Sequence, residues 1–187
     1  MKSKFISLEG LSGVGKSTIS KLFAEKIGAE LVGTIPQTFG DLRKALDRSE
    51  KTSIHGRFLF YFAAVLEGEK SIREVLNAGK GVVVESYLYR TIASHRGMGS
   101  NLDVFIPSDV LLPDIIFHLT CEEAERQRRR QTREKHETRW DRLAEQNAER
   151  ILRENGRIEM NILDTTRLQP EEVVEKLEEV KENLPDD

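Results

Sequence analysis

The sequence predicts an α/β fold: a five-stranded, mainly parallel sheet flanked by helices. Short apolar or β-branched runs alternate with longer stretches whose apolar residues recur at helical spacing. Gly and Pro residues punctuate most of the joins. A glycine-rich segment separates the first strand from the first helix, the usual place for a loop at the carboxyl edge of a parallel sheet.

Phe5-Ile6-Ser7-Leu8 is the first strand, ending at Glu9-Gly10. A helix follows from about Lys16 to Lys26, with Ile19, Leu22, Phe23 and Ile27 on one face and Gly28 as its stop. Glu30-Leu31-Val32 is a second strand, and Gly33 to Phe39 reads as a loop around Pro36. A long helix is expected over about Ile54 to Asn77, bent or broken near Gly68. Gly79-Lys80-Gly81 leads into the strand Val82-Val83-Val84, closed by Glu85. A helix after Tyr87 ends near Gly97-Met98-Gly99, and Pro113-Asp114 introduces the strand Ile115 to Leu119. Two polar helices are expected over about Glu122 to Arg133 and Arg139 to Arg153, then a strand over Ile158 to Leu163. Pro170 opens the last helix, with Val173, Val174, Leu177 and Val180 on one face. The chain reads as one domain over residues 1–187, with a charge-dense lid at about residues 122–153.

Composition narrows the function classes. The longest apolar run, Phe58 to Leu66, falls far short of the roughly 20 residues a bilayer span needs, so no membrane partner is expected. Glu9 interrupts the first apolar stretch, and no signal peptide is readable. The single cysteine, Cys121, makes neither an internal disulfide nor a cysteine zinc cage. These features predict a cytoplasmic protein. The net charge of −3, from 29 basic and 32 acidic residues, argues against a nucleic-acid partner. The arginines are bunched, however: Arg126, Arg128, Arg129, Arg130 and Arg133 stand together with no acidic residue among them. Like charges at this density repel, so the cluster predicts an anionic partner.

Gly10-Leu11-Ser12-Gly13-Val14-Gly15-Lys16-Ser17 fits G-x-x-x-x-G-K-[ST] at every fixed position. Its glycines let the backbone wrap phosphate oxygens, and its N–H groups with those of the helix start point at the anion. Lys16 can reach the outer phosphates, and the Ser17 hydroxyl can hold Mg²⁺. This predicts the P-loop NTPase fold. The guanine-reading Asn-Lys-x-Asp and switch Asp-x-x-Gly of small GTPases do not occur, and the chain is short for a motor or ring ATPase. An ATP- and Mg²⁺-dependent small-molecule kinase with an arginine-rich helical lid is the class that fits. Glu85, at the carboxyl end of its strand, is the candidate for the metal or for catalysis, with Glu9 as its competitor.

These residues together resemble the thymidylate kinase family, with the deoxynucleoside kinases close by. The segment from Phe5 to Gly10, the phosphate loop and Thr18 look like that family's Ile-x-x-Glu-Gly-x-Asp-Gly-x-Gly-Lys-Ser/Thr-Thr opening. Pro36, Phe62-Ala63-Ala64, Tyr87 with Ala93, Pro113-Asp114 and the segment Asp164 to Val174 match in kind and order. The resemblance implies that Lys16 and Ser17 serve the phosphates and metal. It gives Arg129 and Arg133 as catalytic lid arginines, Arg142 as a further lid position, and Arg167 beside the adenine of ATP. It also implies a homodimer. Departures fall on the acceptor side: Ser12 replaces the loop aspartate, Glu85-Ser86 an Asp-Arg pair, Thr34-Ile35 an Arg-Glu, Leu66 an arginine and His95 a glutamine.

The candidate sets are therefore Lys16, Glu85, Arg129 and Arg133 for catalysis, and Ser17 with Glu85 for the metal. Gly10, Ser12, Gly13, Val14, Gly15, Lys16, Ser17, Thr18, Arg142 and Arg167 form the ATP site. Glu9, Arg57, Tyr87, Arg90, His95 and Arg96 stand on the acceptor side. The expected reaction is phosphotransfer to a small-molecule phosphate acceptor, a nucleoside monophosphate such as dTMP. A kinase of an uncharged hydroxyl and a nucleotide-binding regulator without phosphotransfer are the alternatives.

Overall fold

A computed structural model describes residues 4–132 and 137–184. Among these residues one sheet has the order β2-β3-β1-β4-β5: Glu30–Val32, Val82–Glu85, Phe5–Glu9, Ile115–Thr120 and Asn161–Asp164. Every neighbouring pair is parallel. β1 is central and wholly buried, which explains why it reads as a continuous apolar run rather than an alternating one.

Helix α1, Lys16–Ile27, returns from β1 and ends on a left-handed Gly28. A single 3₁₀ turn, Gln37–Phe39, lies in the segment expected as loop and leads into α2, Gly40–Arg48, for which no element is expected above. Leu42, Ala45 and Leu46 stand at helical spacing along it, and none is buried.

Helix α3 runs unbroken over Ile54–Asn77, capped at Ser53, whose Oγ accepts from Gly56 N. The helix does not break at Gly68. That glycine instead lets the helix touch the chain after β2: an added Cβ would stand 2.2 Å from the Thr34 carbonyl oxygen. Close approach, rather than a break, is why no side chain fits there.

Helix α4 is Leu88–Gly97, and the arginine-rich segment folds as α5, Glu123–Gln131, α6, Arg139–Gln146, and α7, Ala148–Asn155. The single helix expected over residues 139–153 is thus two, divided at Asn147, whose side chain donates to the Leu143 carbonyl. α8, Pro170–Asn183, closes the order.

Apolar side chains cover both sheet faces. Ile6, Leu8, Phe23, Phe117, Leu119 and Leu177 belong to one cluster; Phe5, Val82, Val84, Tyr87 and Ile72 belong to the other. Trp140 is buried with the first cluster and fixes α6 to the body, as its helical spacing predicts. No helix among the described residues is long and apolar enough to cross a membrane.

Candidate active site

The carboxyl ends of β1 and β3 lie side by side, in register Leu8 to Glu85. β1 therefore delivers the phosphate loop next to the strand end that carries Glu85. Gly10, Gly13 and Gly15 have φ of 138°, 99° and 100°, a region that side chains other than glycine seldom enter. At Gly13 space is closed too: an added Cβ would sit 2.8 Å from both the carbonyl oxygen and Cγ of Arg126.

Lys16 is buried inside the loop, its Nζ donating to the carbonyls of Gly10 and Leu11 at 2.9 Å. Ser17 Oγ donates to Glu85 Oε1 at 2.9 Å. These two residues, expected to share a metal, are thus brought together from positions far apart in the chain. Their hard oxygens suit Mg²⁺, which takes one or two protein ligands and completes its shell with water and phosphate. Beyond Glu85 the chain turns at Ser86, a non-glycine residue at φ 68°, strain stored at the strand end.

Two cavities flank this contact. One, about 500 Å³, is walled by Gly13, Gly15, Thr18, Arg129 and the segment Thr165 to Pro170, which includes Arg167. It lies on the side where the ATP site is expected. The other, about 580 Å³, lies toward β2, α3 and α4 and is lined by polar groups including Arg43, Arg57, Glu85, Arg90, Thr91 and His95.

The arginine cluster is paired differently from the expectation. Its anions are the segment's own carboxylates. Arg126 bonds Glu123 and Glu145, Arg128 and Arg129 bond Glu125, and Arg130 reaches Glu137 and Glu145. Glutamates three or four residues before an arginine, or on the facing helix, lie within reach although none stands inside the run. Arg126 is the functional residue that sequence reasoning undervalued: almost fully buried, it also donates to the Ser12 carbonyl at 3.0 Å, strapping the phosphate loop to α5 and α6. Thr165, in the segment expected beside the adenine, also ties to the loop. Its Oγ1 donates to Val14 O and Thr120 O, fixing the donor wall to the loop.

Arg129 reaches the donor cavity, but its guanidinium is spent on Glu125, the Thr165 hydroxyl and the carbonyls of Thr165 and Thr166. These bonds tie Arg129 to the wall of that cavity. Arg142 lies elsewhere, in a groove between α2 and α6 with Arg43, Arg48 and Arg139. It lines neither of the two cavities beside the phosphate loop. Arg133 lies outside the described residues.

On the acceptor side, Tyr87 is corrected by its burial: its ring packs edge-to-face on Phe5 at 5.2 Å within the core, and its backbone N–H donates to the buried Glu9. Arg96 points to the surface, paired with Asp103 at 3.2 Å, because α4 turns residues 90, 91, 94 and 95 toward the cavity instead. His95 is buried and stacked on Phe58, with Nδ1 donating to the Thr91 carbonyl and Nε2 accepting from Arg57 at 2.9 Å. Burial, then the neighbouring Arg57 charge, pushes its pKa down to about 3, so it is neutral. Arg57 is itself held by Asp47 at 2.9 Å and lies over the rings of Tyr61 and Trp140. Glu9 is sealed in the interior, and burial raises its pKa.

A phosphate loop on a central parallel strand, a serine–carboxylate pair at its lip and a polar cavity on either side define a P-loop phosphotransferase. The model of the thymidylate kinase family matches residues 8–177, and the chain belongs to that family. Thymidylate kinase of Coprothermobacter proteolyticus is 34% identical over 95% of this chain and 98% of its own. A probable thymidylate kinase of Thermococcus kodakarensis is 33% identical over 81% of each. The solved thymidylate kinase of Candida albicans superposes with a TM-score of 0.78 at 20% identity, covering 97% of this chain and 92% of that one, which shows the shared fold. The chain is accordingly an enzyme, an ATP-dependent nucleoside monophosphate kinase.

Proposed function

We propose that this enzyme transfers the γ-phosphoryl group of ATP to the phosphate of dTMP or a closely related nucleoside monophosphate, acting as a cytoplasmic homodimer. The observation that carries the reading is the Ser17–Glu85 contact, because it joins the phosphate loop to a cavity that three arginines help to line. In the reaction the bond between the γ-phosphorus and its bridging oxygen breaks as an oxygen of the acceptor phosphate bonds to that phosphorus. The products are ADP and a nucleoside diphosphate.

A phosphate acceptor needs no base, since its second proton, with a pKa of about 6, is already largely lost at pH 7. A hydroxyl acceptor would need one. Glu85 is the one carboxylate among the described residues lining the cavity, and it is engaged with Ser17. Glu9 is sealed away from it. The arrangement therefore favours the monophosphate over an uncharged alcohol.

Within the loop, Lys16 and the backbone N–H groups would hold the outer phosphates of the donor, and the turn at Gly13 gives them their close approach. Ser17 and Glu85 would hold Mg²⁺, whose positive charge would offset that of the donor phosphates. Thr165, Thr166 and Arg167 support a donor-nucleoside site, with Arg129 keeping that wall in place. Catalysis is positioning plus charge stabilisation.

The test is ADP release by the purified chain with ATP and Mg²⁺, offered dTMP, the other nucleoside monophosphates, and thymidine. Turnover of dTMP with none of thymidine is expected. Turnover of thymidine alone overturns the reading in favour of a nucleoside kinase. ATP bound tightly with no acceptor consumed would make the chain a regulator. Light scattering on the same preparation checks the dimer.

A further inference from the structure

Helix α6 is short, Arg139–Gln146, yet its two ends meet different parts of the active site. In its last turn Glu145 accepts from Arg126, which also donates to the carbonyl of Ser12 in the phosphate loop. In its first turn Arg139 donates to the carbonyls of Glu50 and Thr52, where α2 passes into α3. Beside Arg139 stands Trp140, which is buried, and the guanidinium carbon of Arg57 lies over its ring, 4.8 Å from the centroid.

Arg57 belongs to a stack. The Arg139 guanidinium lies over Trp140 at 4.3 Å, and Arg57 in turn lies over Tyr61 at 4.3 Å. The order Arg139, Trp140, Arg57, Tyr61 thus runs from α6 onto α3. The edges of Arg57 are held as well: Nε donates to Asp47 at 2.9 Å, and NH1 donates to the neutral His95 at 2.9 Å. Asp47 also accepts from the Tyr61 hydroxyl at 2.6 Å. Arg57, Tyr61 and His95 all line the acceptor cavity, and Trp140 stands outside its wall. As filler alone Trp140 is a poor choice. Its Nε1 is buried with no hydrogen-bond partner, a cost that an apolar side chain would avoid. What the indole supplies in exchange is the best π face for a guanidinium, in a place sealed from water, where that contact is strongest.

We propose that Trp140 is a positioning residue for the acceptor: from α6 it clamps Arg57, and through Arg57 the wall of Tyr61 and His95, in the shape that the acceptor meets. This rests on the acceptor cavity as read above, and not on which acceptor fills it. Trp140 itself touches no substrate. Without its ring, Arg57 keeps Asp47 and His95 but loses the surface that holds its plane. An arginine freed in this way has to be ordered again when the acceptor binds, so the loss falls on acceptor binding. The far end of α6 keeps its own bonds, from Glu145 to Arg126 and Arg130, and the phosphate loop stays as it was.

Steady-state kinetics with ATP on the wild type, Trp140→Leu and Trp140→Phe test this, with whichever of dTMP and thymidine the wild type turns over and with thermal melting of each variant. Trp140→Leu is expected to raise the acceptor KM about tenfold, the scale of one desolvated cation–π contact. Its kcat and its KM for ATP should stay within about threefold of wild type, a split that a general loosening of the fold would not give. Trp140→Phe keeps a π face and should bring the acceptor KM back to within about threefold even where its melting temperature is lowered. An acceptor KM unchanged in Trp140→Leu, or raised equally in both variants, overturns the assignment while the monophosphate reading stands. Trp140 is the single tryptophan of the chain, so the wild type carries its own probe should Trp140→Leu not fold. Adding dTMP is expected to change the indole emission, because the guanidinium over the ring is part of the wall the acceptor meets. An emission unmoved by millimolar dTMP overturns the assignment. A wild type that turns over neither acceptor overturns the monophosphate reading, and the same emission titration then decides the role of Trp140.

Discussion

The arginine-rich segment and the acceptor cavity both present arginines to the phosphate loop, and the two sets are satisfied in opposite ways. In the segment, Arg126, Arg128, Arg129 and Arg130 all meet a glutamate of the same segment. In the cavity, Arg57 is closed off by Asp47, His95 and two rings, while Arg90 keeps a donor without a partner. Density of charge along the chain is therefore a poor guide to where an anion binds. An arginine with its donors filled builds structure.

The contrast can be broken most sharply at the loop between the two regions. Lys16→Ala should lower kcat by about 100-fold or more, the usual scale for a phosphate-contacting charge. Near-normal turnover in a coupled ADP assay would remove Lys16 from catalysis.

Arg126→Ala tests whether the segment's pairing is structural. It leaves Glu145 short of a partner and frees the Ser12 carbonyl, so a loss of about 2–3 kcal/mol is expected, reduced from the fully buried case because the glutamates reach solvent. Urea unfolding measures it. Arg128→Ala, an exposed pair three residues apart, should leave the midpoint where it was. Equal losses in the two variants would erase the distinction drawn between a strap and a surface pair.

The effect spread most gradually, over pH, belongs to the cavity. Neutral His95 is protonated near pH 6.5 in the unfolded chain but only at about 3 in the folded one. The unfolded state therefore binds the extra proton, and the stability that neutral His95 confers is complete above pH 6.5 and drains away as the pH falls toward 3. The slope from one such group is at most about 1.4 kcal/mol per pH unit. His118, pushed down to about 4 by burial first, adds a similar slope over a narrower range. Unfolding at pH 7, 5.5 and 4 should show a shallower decline in His95→Gln than in the wild type. An unchanged slope would mean that His95 is not held buried and neutral in solution.

Much of the donor half was legible before folding because it is local in sequence. Gly10 to Ser17 is a contiguous motif whose glycines and lysine act within one turn of chain, and strand periodicity placed it correctly. The acceptor half was not legible in this way. Its walls come from β2, α3, β3 and α4, brought together only by the sheet order. Arg90 and Arg96 are both candidates by composition. The phase of α4 decides between them, turning the first to the cavity and the second to Asp103. Tyr87 follows the same strand end as Glu85, yet packing on Phe5 takes its ring into the core.

What the sequence determined by itself was the parallel α/β sheet, the phosphate loop and the class of reaction, since apolar periodicity and a contiguous motif depend on short-range spacing alone. The tertiary structure decided the pairing of charges. Whether an arginine finds a glutamate one helical turn away, a carbonyl across the chain or no partner at all depends on which helices and strands become neighbours. That choice left Arg126 fully bound beneath the loop and Arg90 with a donor to spare.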